Sequence, residues 1–241
     1  MTRDFGSGIA RTLKFYKGAV PLLLHNKIHI EVRAEMDKYK SMQELESKTT
    51  KNKDWEIIAQ DRESEITVLA IHGGGIEPAT TELAYIIAEK GNYNYFSFNG
   101  IRTKGNNELH VTSTKYDNEI ALNMISASDK AIAIHGCLGE ESVVYIGGKD
   151  LHLKSAIIHE LKEIGINVKE ASRQMAGLND QNIVNKTTKN AGVQLELTSA
   201  LRRSLFKNNQ FNYKSRRDQS NWDDMMYKLA DAVKEAIDKT T

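Results

Sequence analysis

Ile66-Thr-Val-Leu-Ala-Ile71 runs straight into His72-Gly-Gly-Gly-Ile-Glu77 and Pro78. Six apolar or β-branched residues followed by three glycines read as a buried strand ending in a tight turn. Pro78 favours the first position of a helix, which predicts Glu77 as its N-cap. A second run, Ala131-Ile-Ala-Ile-His135-Gly136, repeats the order of apolar strand, histidine and glycine. In an open α/β sheet, ligands bind beyond the carboxyl ends of strands. Two such ends on neighbouring parallel strands would bring His72, Glu77 and His135 together.

Working outward, apolar runs predict strands near 55–61, 66–71, 94–99, 109–113, 131–135, 143–146, 166–170 and 193–197. Helical spacing predicts helices near 79–90, 117–127, 151–164, 198–206 and 221–238, with a short one around 41–47. The alternation predicts an α/β fold: a mixed, largely parallel central sheet flanked by helices. Ile28, Ile30 and Val32 alternate with polar residues and suggest a further short strand. Residues 1–36 read as an N-terminal extension of unassigned role, and 37–241 as the main domain. In the last helix, Ser220 and Asp223 form a capping-box pattern. Trp222, Met225, Met226, Leu229, Val233, Ala236 and Ile237 follow as an apolar stripe suited to packing on a sheet.

The chain has 241 residues, 40% hydrophobic and 27% charged, enough for one large domain with a full core. A formal net charge of +1 makes no general case for nucleic acid or a membrane surface. Cys137 stands alone, so no internal disulfide can form. No apolar run approaches the roughly 18 residues of a membrane span. The N-terminal region does not read as a signal peptide, which predicts a protein that is cytoplasmic when made. Action outside the cell would need host lysis or another route of release. Nothing in the sequence specifies an oligomeric state.

Two histidines and a glutamate at strand ends form the ligand set of a catalytic zinc site with one open position. The alternative for each is a hydrogen bond to nearby backbone. Gly192-Val-Gln-Leu-Glu-Leu-Thr198 alternates as a strand with Gln194, Glu196 and Thr198 on one face. Such a face belongs either to a solvated edge strand or to a cleft in which Glu196 is a general base beside an activated water. His110 ends a glycine-containing loop and could line the same cleft. Arg202, Arg203, Lys207, Lys214, Arg216 and Arg217 follow with no acid between them. They suit a solvated loop, a nucleic-acid patch or the capture of substrate carboxylates.

Together, His72-Gly-Gly-Gly-Ile-Glu-Pro78, Leu109-His-Val-Thr-Ser113, Ile134-His-Gly136, Asn182-Ile-Val-Asn185 and Gly192-Val-Gln-Leu-Glu-Leu-Thr198 resemble the poly-γ-glutamate hydrolases of Bacillus phages and prophages. The resemblance runs from about Asp37 to about Arg203. It implies a zinc peptidase with a carboxypeptidase-like fold, and an acidic γ-linked polyglutamate polymer as substrate. It implies His72, Glu77 and His135 as zinc ligands and Glu196 as the catalytic carboxylate. Asn185 and Lys186 would hold a substrate carboxylate, with Lys186 standing where the family pattern has Arg. Lys keeps the charge but loses the planar fork. Arg202, Arg173 and His110 complete the expected substrate contacts. Two other readings stay open. One is a zinc amidohydrolase for another acidic amide, such as an N-acyl amino acid or a peptidoglycan γ-glutamyl bond. The other is a non-enzymatic phage protein that meets nucleic acid through the 202–217 stretch.

Overall fold

The computed structural model describes residues 37–241. The N-terminal extension and its expected strand at 28–32 lie outside the described residues. Seven strands make one sheet: β1 (Trp55–Gln60), β2 (Ile66–Gly74), β3 (Asn94–Gly100), β4 (Lys130–Cys137), β5 (Val143–Gly148), β6 (Asn167–Glu170) and β7 (Val193–Thr198). Their order is β1-β3-β2-β4-β7-β5-β6. The central strands β3, β2, β4 and β7 run parallel. β1 is antiparallel to β3, and β5 is antiparallel to β7 but parallel to β6. The sheet is mixed and largely parallel, as the alternation of elements predicts.

Helices cover both faces. Along the chain they are α1 (Met42–Lys48), α2 (Thr80–Gly91), α3 (Glu119–Ser126), α4 (Leu151–Glu163), α5 (Ser199–Ser204), α6 (Tyr213–Arg216) and α7 (Asp224–Asp238). On one face Leu83 and Ile87 of α2, Leu153 and Ile157 of α4, and Leu229 and Val233 of α7 pack on Val68, Ile132, Ile134 and Leu195. On the other, α1 and α3 join Leu109, Val111 and Ile183 over Leu69, Ile71, Phe96 and Ala133. Sheet residues alternate between these cores because strand side chains alternate with period two.

This winding creates the site. The chain leaves β2 to build β3 on one side, then crosses back to build β4 on the other. Between β2 and β4 the connections therefore diverge to opposite faces. That opens a crevice at the carboxyl ends of these strands, the usual ligand position in open α/β sheets.

Three local expectations are corrected. No strand forms at 109–113, because β1 already occupies the free edge of β3. The segment instead crosses over the face between short 3-10 turns at Asn106–Leu109 and Ser113–Lys115. Glu77 is not the N-cap of α2; Ala79 takes that place, at φ 82°. The Glu77 amide donates to the His72 carbonyl (2.9 Å), closing the glycine turn and freeing its carboxylate to face inward. The last helix starts at Asp224 and is capped by Asp223, whose side chain accepts from the Met225 amide. Ser220 belongs to the preceding turn, bonded to Asp218.

Candidate metal centre

His72, on the last turnward stretch of β2, is buried, and its Nε2–H donates to the Val111 carbonyl (2.8 Å). That bond fixes the tautomer and leaves the Nδ1 lone pair facing the crevice. Burial, then the neighbouring His110, pushes the His72 pKa down to about 4, so the ring is in the neutral form that binds a metal. Glu77 returns from the glycine turn to the same point. Burial opposes its charge, but the adjoining His72 and His135 hold its pKa well below the usual carboxylate value. The Gly136 amide also donates to Glu77 Oε2 (2.8 Å).

His135 completes a triangle. Its Nδ1 lies 3.2 Å from His72 Nδ1 and 3.6 Å from Glu77 Oε2, while His72 Nδ1 is 3.4 Å from Glu77 Oε1. One ligand atom from each residue falls within 4.8 Å of the others. Tetrahedral zinc, at about 2.0–2.1 Å from each ligand, sets its ligands roughly 3.3 Å apart. The donor types and spacing both fit such an ion, and three protein ligands leave the fourth position open.

Glu196 is placed by the sheet. It is the register partner of His135 across β4 and β7, so the two side chains leave the same face about one strand spacing, 4.8 Å, apart. The edge-strand alternative does not hold, because β7 lies between β4 and β5. Gln194, two residues earlier on that face, donates to the Met175 carbonyl (2.7 Å) and accepts from Asn182 Nδ2 (2.9 Å). A polar wall thus runs from β7 into the loop before it.

The other candidates separate. His110 stands at the centre: its ring lies 4.0 Å from that of His72, and its Nε2 is 3.9 Å from Glu77 Oε1. Asn185 is buried, donating to the Gly177 and Asn179 carbonyls (2.7 and 3.0 Å) and accepting from the Gly192 amide. Lys186 is half-buried and donates to Gln181 Oε1 (3.0 Å). Arg173 is exposed. Arg202, expected to face substrate carboxylates, is instead 6% exposed, with its guanidinium on backbone carbonyls. Arg216 is likewise buried, paired with Glu82 (3.2 Å) and bonded to the Gly74 carbonyl (2.9 Å). Two cations of the late basic stretch are therefore inside the molecule.

Sequence reading missed Asp37. Its Oδ1 lies 2.7 Å from His110 Nδ1, and its Oδ2 accepts from the Thr112 amide (2.7 Å), orienting the imidazole beside the centre. Asp37 and His110 are 73 positions apart, and no local pattern links them. Among the described residues, no helix is long and apolar enough to cross a membrane.

A family model described as poly-gamma-glutamate hydrolase matches residues 39–232. The SPbeta prophage-derived protein YoqZ of Bacillus subtilis strain 168 is 35% identical over 172 residues, covering 70% of this chain and 62% of YoqZ. A bacteriophage poly-gamma-glutamate hydrolase structure superposes with TM-score 0.81 at 32% identity, covering 85% of this chain and 98% of that one. The zinc-free, apo structure of YndL, a B. subtilis protein, gives TM-score 0.78 at 29% identity, with coverage of 85% and 98%.

Proposed function

Because this chain belongs to the poly-gamma-glutamate hydrolase family, we propose that it cleaves the γ-glutamyl amide bonds of poly-γ-glutamate at a zinc centre held by His72, Glu77 and His135. The observation that carries this reading is the buried ligand triangle with Glu196 one strand away in register. The zinc-free description of the YndL structure concerns that relative, and it supports zinc as the ion here. Bound among these ligands, zinc supplies Lewis acidity, which polarises a carbonyl and acidifies water.

The chain's own residues do the rest. Glu196 takes a proton from the attacking water and passes it to the leaving nitrogen. A C–O bond forms as the C–N bond breaks, releasing a γ-carboxylate on one fragment and an α-amine on the other. Burial of His72, Glu77 and His135 excludes bulk water and strengthens local electrostatics. Each unit of the polymer carries a free α-carboxylate, so its recognition calls for cations. Lys186 and Arg173 serve that purpose, with His110 as a polar contact beside the scissile bond. Asn185 holds the loop that presents Lys186, through its bonds to Gly177, Asn179 and Gly192.

Metal analysis combined with a polymer chain-length assay tests the reading. Zinc at one equivalent and shortened polymer are expected, with both lost in His72→Ala. Full cleavage by metal-free protein would end it.

A further inference from the structure

Arg202 follows α5's first turn and points back under the metal centre. Its Nη1 donates to the Pro78 carbonyl (2.8 Å), its Nη2 to that of Cys137 (3.0 Å) and its Nε to that of Leu197 (3.1 Å). Pro78 directly follows Glu77, Leu197 directly follows Glu196, and Cys137 is two residues beyond His135. One planar cation thus bonds the chain just past two ligands and the proposed base. These three segments are remote in sequence.

We infer that Arg202 is a positioning residue that fixes Glu77 relative to His135 and Glu196 by clipping the turn after β2 to the ends of β4 and β7 through a single rigid fork. The inference rests on the zinc reading above. Guanidinium suits the task because its donors are fixed in one plane, so the carbonyls they meet are fixed relative to one another. A lysine ammonium in the same cavity can rotate and enforces no such geometry. Gly136 shows how closely the fork is seated: a Cβ there would lie 2.7 Å from Arg202 Cζ. The same glycine donates its amide to Glu77 Oε2, so the fork packs against the residue that orients a ligand carboxylate. Groups that orient metal ligands commonly change affinity by about 10–100-fold when removed.

The test is zinc affinity, by chelator competition, in full-length Arg202→Lys, with Arg62→Lys as control. Arg62 bonds the Tyr93 carbonyl (2.8 Å) at the opposite end of the strands. Arg202→Lys is expected to bind zinc at least about tenfold more weakly, and to show lower kcat with little change in KM when zinc is saturating. Arg62→Lys should leave both unchanged. Zinc affinity and kcat like those of wild type in Arg202→Lys, whatever its melting temperature, would overturn the inference. If Arg202→Lys does not fold, Arg202→Ala is measured with millimolar guanidinium. Zinc affinity restored by guanidinium but not by ammonium supports the fork; affinity indifferent to both overturns it. Wild-type protein that takes up no zinc would overturn the metal reading and this inference with it.

Discussion

His135 on β4 and Glu196 on β7 are register partners across two parallel strands. Their side chains therefore leave the same face of the sheet, and their separation is set by backbone hydrogen bonding rather than by flexible loops. The proposed ligand and the proposed proton carrier, anchored in this way, are held by the most rigid part of the fold. Glu196→Gln keeps the shape of the side chain and removes its basicity. It is expected to retain zinc at wild-type stoichiometry while kcat falls about 10²–10⁴-fold. Metal content and steady-state rates on the same preparation check this, and an active, zinc-replete Glu196→Gln would remove Glu196 from the chemistry.

Metal removal should be visible in stability. An ion that binds only the folded state contributes about 2.7 kcal/mol when present at 100 times its Kd. In a domain of this size that corresponds to a fall in Tm of roughly 5–10 °C on chelation. Calorimetry with and without chelator, followed by added zinc, measures the loss and its reversal. His72→Ala should melt at the same temperature in both conditions.

The buried pair Arg216–Glu82 joins α6 to the first turn of α2. Removing the cation leaves a carboxylate in the interior without compensation. Arg216→Met is expected to cost about 3–5 kcal/mol. Adding Glu82→Gln, which removes the stranded charge, should recover much of that loss. A denaturant-unfolding cycle of the two single variants and the double gives the coupling directly.

Gly74 has φ +64°, and a Cβ there would lie 2.5 Å from the Gly100 carbonyl oxygen. Gly74→Ala combines a disfavoured backbone angle with a backbone clash, at a cost of about 1–3 kcal/mol. Because Gly74 lies between His72 and Glu77, zinc affinity should fall as well. Chelator competition and thermal melts on this one variant report the two effects separately.

Lys186→Ala and Arg173→Ala should raise KM for the polymer more than they lower kcat, since they are assigned to binding of carboxylates remote from the broken bond. The wild-type KM should rise with salt as exposed charges are screened, and that dependence should weaken in the variants. Rates on long chains across a salt series distinguish this from a general loss of fold.

The proposed ligands are legible because each carries a local signature. His72 and His135 end apolar runs and meet glycine, while Glu77 follows a turn that only a short list of residues can make. Glu196 is legible as the charge on a strand face shared with Gln194 and Thr198, but the placement of that strand between β4 and β5 is not. Arg202 reads as a cation facing substrate carboxylates because the basic residues around it hide its burial. Its partners are backbone carbonyls, which every residue possesses, so no side-chain pattern announces them. The 109–113 segment has the alternation of a strand. What it lacks is an edge to join, and edge availability is decided by β1, which ends at Gln60, far back along the chain. Ser220 has the composition of a cap, yet Asp223 caps α7 because Trp222 is already anchored through its indole N–H to the Arg216 carbonyl (2.7 Å).

The hydrogen bond from His72 to the Val111 carbonyl ties the crossing segment to the proposed metal site. The same segment carries His110, which Asp37 holds against the centre. An ion held in the proposed triangle would bear, through His72, on the stretch of chain that carries His110, the contact proposed for the polymer. Under that proposal, thermodynamic reciprocity requires that any factor by which the ion changes polymer affinity is the factor by which the polymer changes ion affinity. The route for such a coupling is the single hydrogen bond between His72 and the Val111 carbonyl.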